Sequence, residues 1–162
     1  MLTLRIEVCD PAPGILRASI VAHAEDGVSF AAVSEFASPW TAQHSAKLEW
    51  LLGAVPDMIT DIQTHPSGEG PQMSLRVGRQ LLAAGIELFR DIFYASVTAK
   101  AVWNEVSDQL WKTDVEIFAT TSSSIPWDML RDPASGKLLA ESAHLFRVTE
   151  ALPPPQIGRA HV

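Results

Sequence analysis

The chain predicts an α/β domain that opens with an antiparallel strand meander, and three changes of period along it support that fold class. Up to Phe36, short runs alternate apolar and polar residues between Pro- and Gly-containing breaks. From Trp40 to Leu110 apolar residues recur at three- and four-residue spacings, and at Val115 the alternation returns. Strands first, helices next and an αβ unit last describe one sheet with helices laid against it.

Taken in order, Leu2-Thr3-Leu4-Arg5-Ile6-Glu7-Val8 has the period of a strand with one buried face, and Asp10-Pro11-Ala12-Pro13-Gly14 then forces a turn. Ile15 to Ala24 and Val28 to Phe36 are two further strand-like runs. Between them Asp26-Gly27 supplies the positive φ that a tight hairpin needs. Ala46, Leu48, Trp50, Leu51, Leu52 and Val55 fit a short helix that Gly53 weakens and Pro56 ends. His65-Pro66-Ser67-Gly68-Glu69-Gly70-Pro71 reads as a loop within one domain, because composition does not shift across it.

Ser74 to Phe93 is the clearest helix, with Leu75, Leu81, Leu82, Gly85, Leu88, Phe89, Ile92 and Phe93 on one wide face. Gly78 and Gly85 fall on one side of it and would let a neighbouring backbone come close, a return for the roughly 1 kcal/mol that an interior Gly costs. Val97 to Leu110 continues as a helix on Val102, Trp103, Val106 and Leu110. Val115 to Ala119 is then a strand that empties into the small-residue loop Thr120 to Ser124. Pro126 opens a short turn carrying Trp127 and Leu130, with Ser124 as cap candidate. Asp132-Pro133 and Ser135-Gly136 mark a break, and Leu145-Phe146-Arg147-Val148 is a last short strand.

The run Ser124-Ile125-Pro126-Trp127-Asp128-Met129-Leu130, followed by Arg147, resembles the CHAT family, a caspase-like domain often joined to tetratricopeptide repeats. Its members carry Leu-Pro-Trp-Glu-Leu-Leu and then a strand ending in Arg. Asp128 stands where the family usually has Glu and Met129 where it usually has Leu. Leu48 to Leu52 is similar to an aromatic-rich helix of that family, and Gly85-x-x-Leu88-Phe89-x-x-Ile92-Phe93 to the helix that precedes the Trp motif. Together with the periodicity, the resemblance implies a partial three-layer domain of caspase-like kind over residues 1–155. It also implies peptide-bond cleavage by a cysteine nucleophile with a His base, carried in such folds on later strands than this chain reaches. Pro126, Trp127, Asp128, Leu130 and Arg147 are then motif residues of the scaffold, with no catalytic residue and no cofactor assigned.

The totals bound the function further. One domain of 162 residues with 47% hydrophobic and 19% charged residues is large enough for a core. No run of about 18 apolar residues suggests a membrane span, no N-terminal signal is recognisable, and a bacterial cytoplasmic protein is the expectation. A net charge of −7 with dispersed basic residues argues against nucleic acid as a partner. The expected partner is a protein, as substrate or as binding partner, with tetratricopeptide-repeat association in related proteins.

Cys9 is the single cysteine, which excludes an internal disulfide or a multi-thiolate zinc site. It is either a strand-end core residue or a reactive thiol. The structural role is favoured because no His or basic run lies near it in sequence and it precedes every His. His23, His44, His65 and His144 are candidate bases, none with a catalytic assignment. The pairs His44 with Glu49 and His65 with Glu69 do not present one face to a metal, so no metal site is expected. Asp57 with Asp61, and Glu105 with Asp108, read as solvated helix surface. Thr120 to Ser124 could form an anion-binding nest but lacks glycines and a Lys, so a plain strand exit is expected. Trp127 reads as a packing anchor, for which truncation to Ala costs about 3 to 5 kcal/mol. Arg147 is open to Asp128, Asp132, Glu150 or a substrate.

Gln156 to Val162 follows Pro153-Pro154-Pro155, carries no periodicity, and back-translates to a common sequencing adapter. The expectation is a tail foreign to the domain and a coding sequence that continues beyond Pro155. Two functions follow: the N-terminal scaffold half of a CHAT-type peptidase, or a non-catalytic interaction module on the same scaffold.

Overall fold

A computed structural model describes residues 2–64, 69–120 and 125–148, with the backbone alone at 54–64 and 69–71. It is an α/β structure built on one five-stranded sheet. In chain order come β1 (Leu2–Ala12), β2 (Ile15–His23), β3 (Ser29–Ala37), α1 (Ala42–Thr64), α2 (Glu69–Phe93), α3 (Val97–Ser107), β4 (Thr113–Thr120), α4 (Leu139–Ser142) and β5 (His144–Val148). Short 3-10 turns at Leu110–Lys112 and Trp127–Met129 flank β4.

The N-terminal meander forms as its alternation requires. β1 pairs antiparallel with β2, and β2 with β3, while β1, β4 and β5 run parallel, giving the order β3-β2-β1-β4-β5. Gly14 and Gly27 take φ of +73° and +83° in the two connecting turns, values that an L side chain resists. The Asp26 carboxylate accepts the Val28 N–H and closes the second hairpin. β1 runs on past Val8 through Pro11, with an irregular register between Cys9 and Ala12. The turn expected over residues 10–14 therefore narrows to its last residues: Ala12 still pairs with Ile15, and a local bulge accommodates the proline.

One face of the sheet makes the core. Leu2, Leu4, Ile6 and Val8 of β1, Leu16, Ala18, Ile20 and Ala22 of β2, and Val115 and Ile117 of β4 are buried with Leu81, Leu88, Phe89, Ile92 and Phe93 of α2 and Val102, Trp103 and Val106 of α3. Phe89 meets Trp103 edge-on at 4.7 Å between ring centroids, and Phe93 meets Trp103 at 4.9 Å. The Ser96 hydroxyl caps α3 by accepting the Ala99 N–H.

The helices depart from expectation at their ends. α1 does not stop at Gly53 and Pro56 but continues to Thr64, packed against α2. An internal proline removes one helix hydrogen bond and costs about 3 kcal/mol, which kinks a helix without having to end it. α2 begins at Glu69, inside the stretch expected to be a loop; Gly70 and Pro71 lie in its first turn, where a proline's missing N–H would be unpaired anyway. Leu75, expected on the buried face, is 63% exposed. α3 ends at Ser107 and Leu110 opens a separate 3-10 turn. Residues 65–68, 121–124 and 149–162, with His65, the cap candidate Ser124, Glu150 and the expected foreign tail, lie outside the described residues.

Among the described residues the opposite face of the sheet has no helix on it. It carries Arg5, Glu7 and Cys9 of β1, Arg17 and Ser19 of β2, Val33 and Glu35 of β3, Phe118 and Thr120 of β4, and Phe146 of β5. Of the outer layers that a three-layer domain would have, the described residues hold one.

Candidate functional site

β4 leads into the corner that carries the sequence motif. Trp127, Asp128 and Met129 form a single 3-10 turn in which the Pro126 carbonyl accepts the Met129 N–H at 2.9 Å and the Trp127 carbonyl accepts that of Leu130 at 3.1 Å. Pro126, expected as the first residue of the turn, is instead the residue before it, with φ −79° and ψ 89°. A three-residue turn closed by i to i+3 bonds needs only that residue's carbonyl, so the missing N–H costs nothing.

Ile125, Trp127 and Leu130 are sunk into the core cluster, at 4%, 4% and 0% exposure. Asp128 faces outward and is ion-paired with Arg147 of β5. Arg147 stands opposite Ile117, a core-facing residue, so its side chain leaves the helix-covered side of the sheet at the β5 edge and reaches the turn. Of the alternatives open for Arg147, Asp128 is the partner that the structure gives. Both side chains are about half exposed, and such a pair contributes about 0 to 1 kcal/mol.

The third attachment is a backbone contact. A Cβ placed on Gly85 of α2 would lie 2.1 Å from the Met129 carbonyl oxygen, so only glycine lets helix and turn meet as they do. Gly78, its expected counterpart, has nothing within 4 Å of such a Cβ.

Beyond the turn, Leu130 and Leu139 are bridged by a backbone bond, and Asp132 organises the loop between them. Its carboxylate accepts the Ala134 N–H at 3.0 Å, the Ser135 N–H at 3.1 Å and the Tyr94 hydroxyl at 3.2 Å. Burial alone would raise the Asp132 pKa, but the bonds from Ala134, Ser135 and Tyr94 outweigh it and hold the carboxyl below its ordinary value. Burial, with the Asp132 charge and hydrogen bond, raises the Tyr94 pKa. Helix and strand periods carry no sign of this network, although Asp-Pro-x-Ser is an Asx-turn signature that marks the loop half of it.

Cys9 lies elsewhere. Expected near a strand end in the core, it is half-buried near the end of β1 on the open face. The bulge at Cys9 to Ala12 does not explain that side; strict alternation from the buried Leu2, Leu4, Ile6 and Val8 does. With Arg5, Glu7, Arg17, Ser19, Phe118 and Thr120 it lines a shallow cleft of about 300 Å³. Arg5 lies over the Phe118 ring at 4.0 Å and places Nε 2.7 Å from Glu7.

Among the described residues, the two histidines on the sheet, His23 and His144, lie at the other end from this thiol. Cys9 pairs with Arg17 and Thr120, whereas His23 pairs with Thr3 at the other end of β1, roughly 20 Å away at the usual strand rise. His144, across Asp114 from Thr3, is at that same end, with Nδ1 3.4 Å from the Asp114 carboxylate. His44 accepts from the Thr41 N–H and lies against Trp40; burial, then the Lys47 charge, lower its pKa against an opposing pull from Glu87. Among the described residues no group of three potential ligands could hold a metal ion, and no helix is long and apolar enough to cross a membrane. The corner therefore joins a turn, a helix and a strand, while the Ser29 hydroxyl lies 2.8 Å from His23 Nδ1 and the Thr41 hydroxyl 2.9 Å from His44 Nδ1, each an exposed local bond. Compared with known proteins, the chain matches no family model, no curated protein and no solved structure.

Proposed function

We propose that the chain is the N-terminal, scaffold half of a bacterial, cytoplasmic cysteine peptidase of the CHAT, caspase-like kind, acting on protein, with its catalytic His and then Cys encoded downstream. The observation that carries this is one corner. The residues on which the resemblance rests meet there: Trp127 and Leu130 are buried, Asp128 is paired with Arg147, and Met129 is seated on Gly85. Support also comes from the sheet. β1, β4 and β5 are parallel, and β5 is an edge among the described residues, where further parallel strands could add. Reactive groups of parallel α/β sheets gather at the carboxyl ends of such strands.

The test is to express the coding sequence continued past Pro155 and to assay cleavage of a mixed peptide library and of unfolded protein. The expected product carries a His and, later, a Cys, cleaves, and loses cleavage when that Cys becomes Ala, while the present chain alone does not cleave. A continued sequence without such a pair, or a Cys→Ala product that cleaves undiminished, overturns the peptidase.

A second function, a non-catalytic interaction module, draws on the exposed apolar residues Val33 and Phe146, 60% and 52% accessible on the open side of the sheet. It would be favoured by a continued protein that lacks the pair yet binds a partner through this side.

A further inference from the structure

β3 is an edge strand without the usual protection. Nine residues long, it pairs with β2 without a break in register from His23–Ser29 to Ile15–Ala37, and among the described residues nothing pairs with its outer side. Sheet edges are normally guarded by Lys, Pro, a bulge or short length. Ser29-Phe30-Ala31-Ala32-Val33-Ser34-Glu35-Phe36-Ala37 has no Lys, no Pro and no bulge. Its single charge, Glu35, is already held by Arg17 of β2. The opposite edge differs: β5 is five residues long and carries His144 and Arg147.

We infer that β3 pairs with β3 of a second copy of this chain, antiparallel about a two-fold axis at Val33, to join two five-stranded sheets into one of ten. The strand is close to palindromic about that residue. The two-fold sets Phe30 opposite Phe36, Ala32 opposite Ser34, Ser29 opposite Ala37, Ala31 opposite Glu35, and Val33 opposite itself. Residues that face each other then lie on the same side of the sheet, as antiparallel pairing requires. Phe30, 36% exposed, and the half-buried Phe36 would cover one another on the helix side, while Val33, 60% exposed, meets its copy on the open side. No like charges oppose, because each Glu35 meets an alanine and stays with its own Arg17. A two-fold interface must be self-complementary, and this edge is. The inference is independent of the peptidase proposal.

The test measures the mass of the full chain by sedimentation over a range of concentrations, for wild type, Val33→Lys, Val33→Glu and Phe146→Lys. Val33 points out of the core, so its variants should keep the far-UV circular dichroism of the wild type and still melt cooperatively, while the midpoint of the wild type, unlike theirs, rises with protein concentration. Expected is a wild-type dimer, twice 17.6 kDa. Val33→Lys and Val33→Glu should each weaken dimerisation at least tenfold, and their equimolar mixture should regain it because Lys then faces Glu at the axis. Phe146→Lys should dimerise as wild type does. A monomeric wild type at high concentration, a Val33→Lys protein that dimerises unchanged, a mixture that stays monomeric, or loss of the dimer in Phe146→Lys would each overturn the inference.

Discussion

Asp132 is 9% exposed, and burial by itself would favour its neutral form. Three groups donate to it instead, the N–H groups of Ala134 and Ser135 and the Tyr94 hydroxyl, so its native pKa lies below the unfolded value of about 3.9. Between those two values the unfolded chain binds more protons than the native one, so stability rises with pH there. The contribution is present above the unfolded pKa and is lost as pH falls through the native one. Urea denaturation across pH 3 to 7 should show wild type losing more stability than Asp132→Asn on the acid side; equal slopes would remove Asp132 from the balance.

Arg147 illustrates the opposite case, a charge paired in the open. A double-mutant cycle of Asp128→Ala and Arg147→Ala, read by thermal and urea unfolding, should give a coupling below about 1 kcal/mol, since solvent screens a half-exposed pair. A coupling of several kcal/mol would mean that the pair holds the corner more firmly than its exposure allows. The sequence left Arg147 with several partners, because which carboxylate it meets depends on how a turn and an edge strand are placed in space.

At the scale of the element, α2 and the Trp127 turn are joined through Gly85, and the two helix glycines separate cleanly. Gly85→Ala should destabilise by about 1 to 3 kcal/mol, because its methyl would collide with the Met129 carbonyl and either helix or turn must shift. Gly78→Ala should stabilise by about 0.5 to 1 kcal/mol, since open space surrounds it and Ala is the better helix former. Urea midpoints of the two variants that move in the same direction would contradict the contact. Period and spacing placed both glycines on one side of a helix. Which one meets a backbone depends on a segment more than forty residues later in the chain. α1 shows a related limit: Gly53 and Pro56 are stop signals by local propensity, yet the helix runs through both to Thr64, and it packs as an element on α2.

At the scale of the whole molecule, two features of the sheet set what the chain can join. One face is packed by α2 and α3 into a single core, and the other leaves Phe118, Phe146 and Val33 among charged residues. Its edges are unlike: β3 is long, uninterrupted and nearly uncharged, which suits a second copy, and β5 is short and parallel to β4, which suits continuation of the parallel run. Dimerisation through β3 and addition of strands beyond β5 would engage opposite ends of the sheet, so the sedimentation and cleavage outcomes can be read separately.

Sequence alone determined the α/β class, the antiparallel meander, the buried alternation of β1 and β2, the long amphipathic α2 and the burial of Trp127 and Leu130. Each of these depends on period and turn chemistry within a few residues, where the backbone's choices are few. Tertiary structure alone decided that β4 lies parallel to β1, that Cys9 shares a cleft with Arg5 and Arg17 far along the sheet from His23, that Arg147 meets Asp128, and that Asp132 joins Tyr94. Those contacts link residues far apart along the chain, and their energies depend on distance in the folded molecule, which no local pattern encodes.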